Sequence, residues 1–226
     1  MIYDCIRKGT FVSRPNRFIA NVMVDGKMET AHVKNTGRCR ELLLEGAAVY
    51  LQHHDNTNRR TEWSLISVMK GDRLINIDSQ APNRVTGEWL REGKFLKNIK
   101  SIKPEFTYGD SRIDFFVETD TDKILIEVKG VTLEEDNAAM FPDAPTERGI
   151  KHVFELCRSL NDGYIAYVVF VIQMEGVRYF TPNVRTHKAF ADALRYADEK
   201  GVQIIAVDCD VGEDCLNIKN KVRVEL

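Results

Sequence analysis

Residues 164–174 read Tyr-Ile-Ala-Tyr-Val-Val-Phe-Val-Ile-Gln-Met, an almost unbroken apolar run rich in β-branched side chains. The run is too short to cross a bilayer as a helix, and it has the character of a strand buried on both faces. Such a strand needs partners along its edges and cover over its faces. The surrounding sequence supplies both. Residues 146–160 have helical spacing, with Thr146 as N-cap and Ile150, Val153, Phe154 and Cys157 on one face. Residues 187–200 form a second helix, with Phe190, Ala193, Leu194 and Ala197 on its apolar side and Gly201 at its end. Residues 202–208 read as a final strand. Upstream, 111–118 and 123–131 read as strands, and 87–101 as a helix ending before Pro104. This order predicts a mixed sheet with helices packed on it.

The first 84 residues differ. Short β-like runs (18–24, 28–33, 46–54, 63–69, 73–79) alternate with turn signals such as Asp25-Gly26. Five or six strands in so short a stretch suggest a small barrel or sandwich, with an OB-like barrel as one candidate. We therefore expect an α+β chain of two domains, 1–84 and 85–226.

Bulk properties narrow the function. No stretch approaches the length of a membrane-spanning helix, and the first residues lack the apolar segment of a signal peptide. The five cysteines form no Cys-x-x-Cys pair, so neither a zinc site nor a disulfide framework is expected. A cytoplasmic location follows as an expectation. The net charge of −2 argues against coating nucleic acid by bulk electrostatics. It leaves room for a local basic groove.

Chemistry concentrates in residues 112–130. A turn centred between Asp120 and Thr121 pairs Ile113 with Val128, Phe115 with Ile126 and Val117 with Ile124, which makes one face of a hairpin apolar. The same register sets Asp114 opposite Glu127 on the other face, with Lys129 two residues along. Directly opposite residues have Cβ atoms about 4.5–5.5 Å apart. Two carboxylates so close repel unless a cation sits between them. Oxygen ligands suit Mg²⁺ or Mn²⁺, and the backbone carbonyl of Val128 is a further candidate ligand. Lys129 can activate water or stabilise phosphate charge. The alternative is a solvated sheet face with cross-strand ion pairing. Against it, Asp is disfavoured at strand centres.

Asp114, Glu127 and Lys129 match the Asp…Glu-x-Lys signature of the PD-(D/E)xK nucleases. Around them stand SRIDF (111–115), IEVKGVTL (126–133) and FPDAPTERGIKH (141–152). With HVKNTGR (32–38), DNTNRRTEW (55–63) and APNRV (81–85), nearly the whole chain resembles the sugar fermentation stimulation protein A family. That resemblance implies an N-terminal OB-like barrel and a C-terminal PD-(D/E)xK nuclease-like domain. It also implies non-specific DNA binding and a regulatory link to sugar, especially maltose, metabolism. The superfamily often carries a further acid on the first helix of the nuclease core. Glu88 is the candidate here, with Glu105 second.

Several basic residues are candidate phosphate contacts. Arg148, Lys151 and His152 lie at a helix start, where backbone N–H groups also favour anions. Lys94, Lys97, Lys100 and Lys103 recur every three residues near Arg84 and read as a stripe along the 87–101 helix. In the first half, Asn35 and Arg38 belong to a polar, basic turn of the kind that contacts single strands on OB-like barrels. For Arg59 and Arg60 the sequence favours neither nucleic acid nor ordinary turn chemistry. Three functions fit these features: a Mg²⁺- or Mn²⁺-dependent nuclease acting on DNA, a non-enzymatic DNA-binding regulator that keeps the nuclease fold, or, as a weaker third, a metal-dependent hydrolase of a small phosphorylated molecule, which the near-neutral net charge permits. A homodimer is open in each case.

Overall fold

The structure, a computed structural model, describes residues 1–35, 37, 39–55 and 60–226. Among the described residues no helix is long and apolar enough to cross a membrane. Six strands build the first half: β1 (Ile6–Asn16), β2 (Ile19–Val24), β3 (Lys27–Val33), β4 (Ala48–His53), β5 (Trp63–Lys70) and β6 (Arg73–Asn76). They lie in the order β3-β2-β1-β4-β5-β6, and a parallel β3–β5 pairing closes the first five into an OB-like barrel. Alternation drives this. In β2, Ala20, Val22 and Val24 point inward and the residues between them do not. The sequence runs located β2 to β6 but not β1. Its Ile-Arg-Lys-Gly-Thr-Phe-Val-Ser-Arg-Pro-Asn has few apolar positions and contains Gly and Pro, which mask a strand.

The second half begins with α1 (Ala81–Arg91) and continues through β7 (Ile99–Tyr108), β8 (Ser111–Thr119), β9 (Lys123–Val131), β10 (Leu133–Glu135) and β11 (Ala138–Phe141). Then follow α2 (Glu147–Ser159), β12 (Ile165–Ile172), β13 (Tyr179–Pro182), α3 (Val184–Lys200), β14 (Gln203–Val211) and β15 (Leu216–Val224). The sheet order is β10-β11-β13-β15-β14-β12-β9-β8-β7. The apolar run 164–174 is its centre: β12 pairs in parallel with β9 on one edge and β14 on the other. Helices α2 and α3 cover one face through Val153, Leu156, Phe190 and Leu194. Helix α1 covers the other through Ala81, Val85 and Leu90.

Four expectations need correction. The helix read over 87–101 begins at Ala81 and stops at Arg91, because Pro82 is tolerated in a first turn and Gly93 (φ 62°) ends the run. Residues 99–108 are a strand. Phe154 lies on the exposed side of α2, whose buried face is Gly149, His152, Val153 and Leu156. Residues 203–211 are not the last strand, since β15 returns antiparallel beside them.

A buried polar seam joins the two halves. Asn76, Asp78 and Gln173 are all at most 2% exposed. The Gln173 amide donates to Asn76 Oδ1 (2.9 Å) and to the Asp78 carbonyl (3.0 Å). Lys34 Nζ donates to Asp78 Oδ2 at 2.9 Å, and the Asn76 amide donates to the Tyr3 hydroxyl at 3.1 Å. Glu134 makes a second joint. Its carboxylate receives Lys70 (2.7 Å), Arg73 (3.2 Å) and the Asn137 amide (2.6 Å). Burial pushes the Glu134 carboxyl up, but the Lys70 hydrogen bond and the other partners outweigh it and hold it below its ordinary value. A lowered folded value means that stability is present above the unfolded value near 4.5 and is lost as pH falls through the folded one. Glu134→Ala should cost about 1–3 kcal/mol at neutral pH. Glu134→Gln should flatten the acid limb of a urea-denaturation profile against pH. An unchanged acid limb would remove Glu134 from this role.

Candidate active site

Asp114 and Glu127 come together where the β8–β9 ladder ends. The hairpin register is the expected one: Phe115 pairs with Ile126 and Val117 with Ile124, around the Thr119–Asp122 turn. Beyond Phe115 the strands part. The amide of Val128 donates to Asp114 Oδ2 at 2.7 Å, so a side chain replaces the next backbone partner. Alternation breaks here too. Ile113, expected to share a face with Phe115, instead joins Phe116 and Leu125 in the core under α2. On the neighbouring β7, Glu105 holds a left-handed backbone (φ 57°) between the in-register pairs Pro104–Phe115 and Phe106–Ile113.

Each carboxylate is held from a different face of the sheet. From α1, Asn83 donates to Asp114 Oδ1 at 2.7 Å. From α2, His152 is hydrogen-bonded through Nδ1 to Glu127 Oε1. Lys129 Nζ contacts the same oxygen at 2.6 Å. Arg148 Nε donates to His152 Nε2 at 3.3 Å, which assigns the His152 proton to Nδ1, facing Glu127. Gly130 is required at its position: a Cβ there would lie 2.7 Å from Pro82 Cγ, where α1 crosses β9.

The electrostatics follow from burial. Desolvation, then the nearby Glu127 charge, push the Asp114 carboxyl up to about 6. Burial also raises Glu127, but the His152 hydrogen bond and the Lys129 charge more than offset it, so its net direction is down. Glu127 is 2% exposed, and its Oε2 has no hydrogen-bond partner among the described residues. An orphaned, buried carboxylate oxygen beside a second carboxylate can hold a divalent cation. Among the described residues no three His, Cys, Asp or Glu side chains form a metal-holding cluster. Two carboxylates completed by water suit Mg²⁺, which rarely takes an all-protein cage.

The other sequence candidates are scattered. Glu88 bonds the Met1 amine (2.8 Å) and lies 3.7 Å from Arg84, while the α1 side chain that reaches Asp114 is Asn83. Glu105 pairs with Arg112 at 2.9 Å. The lysine stripe does not exist as a helix face. Lys94 pairs with Glu92, Lys97 caps the Gly93 carbonyl, Lys100 on β7 pairs with Asp120, and Lys103 sits over the Phe116 ring. Arg148 and Lys151 are exposed on α2, but His152 is buried against Glu127 and so does not present itself to a ligand phosphate. Asn35 accepts the Gly37 amide and lines a cavity of about 110 Å³ with Gly130 and Gln173. Arg38 and Arg59 lie outside the described residues. Sequence reasoning missed Asn83. Its signal was available, since Asn83 sits in the APNRV string already singled out.

Two family models match the chain. One, described as the SfsA N-terminal OB domain, matches residues 12–77, and the other, described as the sugar fermentation stimulation protein RE domain, matches 80–215. The chain is 57% identical to a sugar fermentation stimulation protein homolog of Ruminiclostridium cellulolyticum and 58% identical to one of Clostridium beijerinckii, each over 100% of both chains. A solved structure of SfsA from Pyrococcus furiosus in complex with Ca²⁺ matches with a TM-score of 0.91 at 27% identity, covering 100% of this chain and 98% of that one.

Asp114 ionises near 3.8 in the unfolded chain and near 6 when folded. Its contribution to stability is therefore full below the unfolded value and is lost as pH rises through the folded one. Without divalent ions, Asp114→Asn should stabilise the protein by about 1–3 kcal/mol at pH ~7 and give no gain at pH ~4. Urea denaturation at the two pH values measures this. Equal effects at both would mean that the carboxylate carries no buried charge.

Proposed function

We propose that this chain, which belongs to the sugar fermentation stimulation protein family, is a nucleic-acid-binding protein that hydrolyses phosphodiesters at a divalent-cation site held by Asp114 and Glu127. The observation that carries this reading is the Glu127 Oε2 atom, buried without a donor beside an Asp114 whose ionisation its charge opposes. A cation relieves both costs at once. The donors are all oxygen, which favours Mg²⁺ or Mn²⁺ over softer metals. That a relative with the same fold was solved in complex with Ca²⁺ supports a hard divalent ion here. We assign the Val128 carbonyl to the same ion. In an extended strand a residue's N–H and C=O face the same edge, and the Val128 N–H already faces Asp114.

When bound, the ion supplies charge neutralisation at the phosphodiester and lowers the cost of forming hydroxide near neutral pH. The remaining roles belong to the chain. Asn83 and the Val128 amide fix the Asp114 carboxylate, one oxygen each. His152 and Lys129 hold Glu127 Oε1, which leaves Oε2 for the cation. Lys129, 15% exposed, can turn its ammonium toward a developing phosphoryl charge. We assign phosphate contacts to Arg148 and Lys151, both exposed on α2. DNA is the proposed polymer.

A second reading, a DNA-binding regulator without catalysis, draws on one observation. Lys129 and His152 already counter the Glu127 charge, so this acid can stand without an added ion. The two readings separate in one assay of plasmid, single-stranded DNA and RNA with Mg²⁺ or Mn²⁺. The parent should cleave at least one form. Asp114→Asn and Glu127→Gln should abolish cleavage, and Lys129→Ala should slow it by roughly 100-fold or more. All substrates intact with both ions, and full DNA binding by an Asp114→Ala, Glu127→Ala protein, would establish the regulator instead.

A further inference from the structure

The cavity of about 110 Å³ at the junction of barrel and sheet has no part in the chemistry of the carboxylate pair. It lies between Asn35 of the barrel, strand β11 and the ends of β9 and β12. Strands β9 and β12 run parallel, and the cavity sits just past their carboxyl ends, where sheets of this kind place ligands. It has room for a small organic group. One water needs about 10–15 Å³ by this measure, and a benzene ring occupies an engineered cavity of about 150 Å³.

The polar side of its wall consists of acceptors. Gln173 is 1% exposed. Its amide nitrogen is spent on Asn76 and the Asp78 carbonyl. Its Oε1, turned toward Gly130, receives no hydrogen bond among the described residues. Thr132 is buried, and its hydroxyl has no partner among those residues. The Asp143 carboxylate likewise has neither a donor nor a paired cation among them. It is wedged against Gly37, where a Cβ would collide with its Oδ2. Among the described residues no lysine or arginine lines the cavity. A phosphate or carboxylate ligand would therefore meet a like charge and no countercharge.

The other side of the wall is apolar, with Leu133, Met140 and Phe141. A hard inorganic cation prefers oxygen all round, and water brings no charge to answer Asp143. An alkylammonium suits both sides. Its three N–H donors match a carboxylate, an amide oxygen and a hydroxyl, and its hydrocarbon stem lies along apolar surface.

We propose that this cavity binds a primary aliphatic amine in its ammonium form, of the size of butylamine or putrescine. The ammonium is held by Asp143, Gln173 Oε1 and the Thr132 hydroxyl, and the stem packs on Leu133, Met140 and Phe141. The site goes beyond the function proposed above and stands whether or not the chain cleaves nucleic acid.

The test is calorimetric titration of n-butylammonium chloride into the full chain, in EDTA and at constant ionic strength. Binding should saturate at a single site per chain. The uncharged n-butanol should bind at least roughly ten-fold more weakly, and Asp143→Asn should weaken n-butylammonium by a similar factor. Thr132→Val should weaken it roughly three-fold or more. Asp114→Asn should bind like the parent, which separates this cavity from the carboxylate pair. Thermal melts check that each variant is folded; if Asp143→Asn is not, Thr132→Val decides. No binding by the parent overturns the proposal. So does equal affinity of parent and Asp143→Asn, or of n-butylammonium and n-butanol. Binding of K⁺ or Mg²⁺ that needs Asp143 and is not displaced by n-butylammonium overturns it too, since the cavity would then be an inorganic ion site.

Discussion

Strand β9 is the constraint on which the second half depends. It pairs antiparallel with β8 on one edge and parallel with β12 on the other, so its register cannot slip by a residue without exchanging core and polar faces. Ile124, Ile126 and Val128 are locked under α1. Leu125 is locked on the opposite side under α2. Glu127 is thereby forced into a buried position facing α2, where His152 and Lys129 meet it. Only at the end of the β8–β9 ladder does the sheet open enough for Asp114 to enter. The carboxylate pair is a product of where the ladder stops as much as of which residues occur there.

Much of this was legible because it depended on alternation. The hairpin register, the buried run of β12, the Thr146 cap and the apolar side of α3 followed from spacing alone. What failed depended on contacts between distant segments. Ile113 changes face where the β8–β9 ladder ends and Asp114 takes the Val128 amide, a contact that no periodicity within β8 encodes. Helix α1 was placed too late because Pro82 reads as punctuation until it is seen in a first turn. The lysine stripe dissolved for the same reason, since its spacing spans a helix end, a turn and a strand.

The family resemblance foresaw the fold and the grouping of Asp114, Glu127 and Lys129. It did not foresee how they are held. Asn83 and His152 reach the two acids from helices on opposite sides of the sheet, so the pair is braced from both faces. His152, read from the sequence as a residue facing nucleic acid, is a buried brace instead. A residue beside a motif can serve the site from behind it, and burial, which the sequence does not print, decides which.

The polar seam between barrel and sheet has a consequence for how such chains can be recombined. Tyr3, Lys34, Asn76, Asp78 and Gln173 come from distant parts of the sequence but satisfy one another's hydrogen bonds in a largely buried seam. A greasy interface tolerates an approximate partner, whereas this one demands matching donors and acceptors. A barrel transplanted from a relative onto this sheet would have to bring its side of that set intact or leave buried groups stranded. The two halves are modular in outline, yet they must be inherited together.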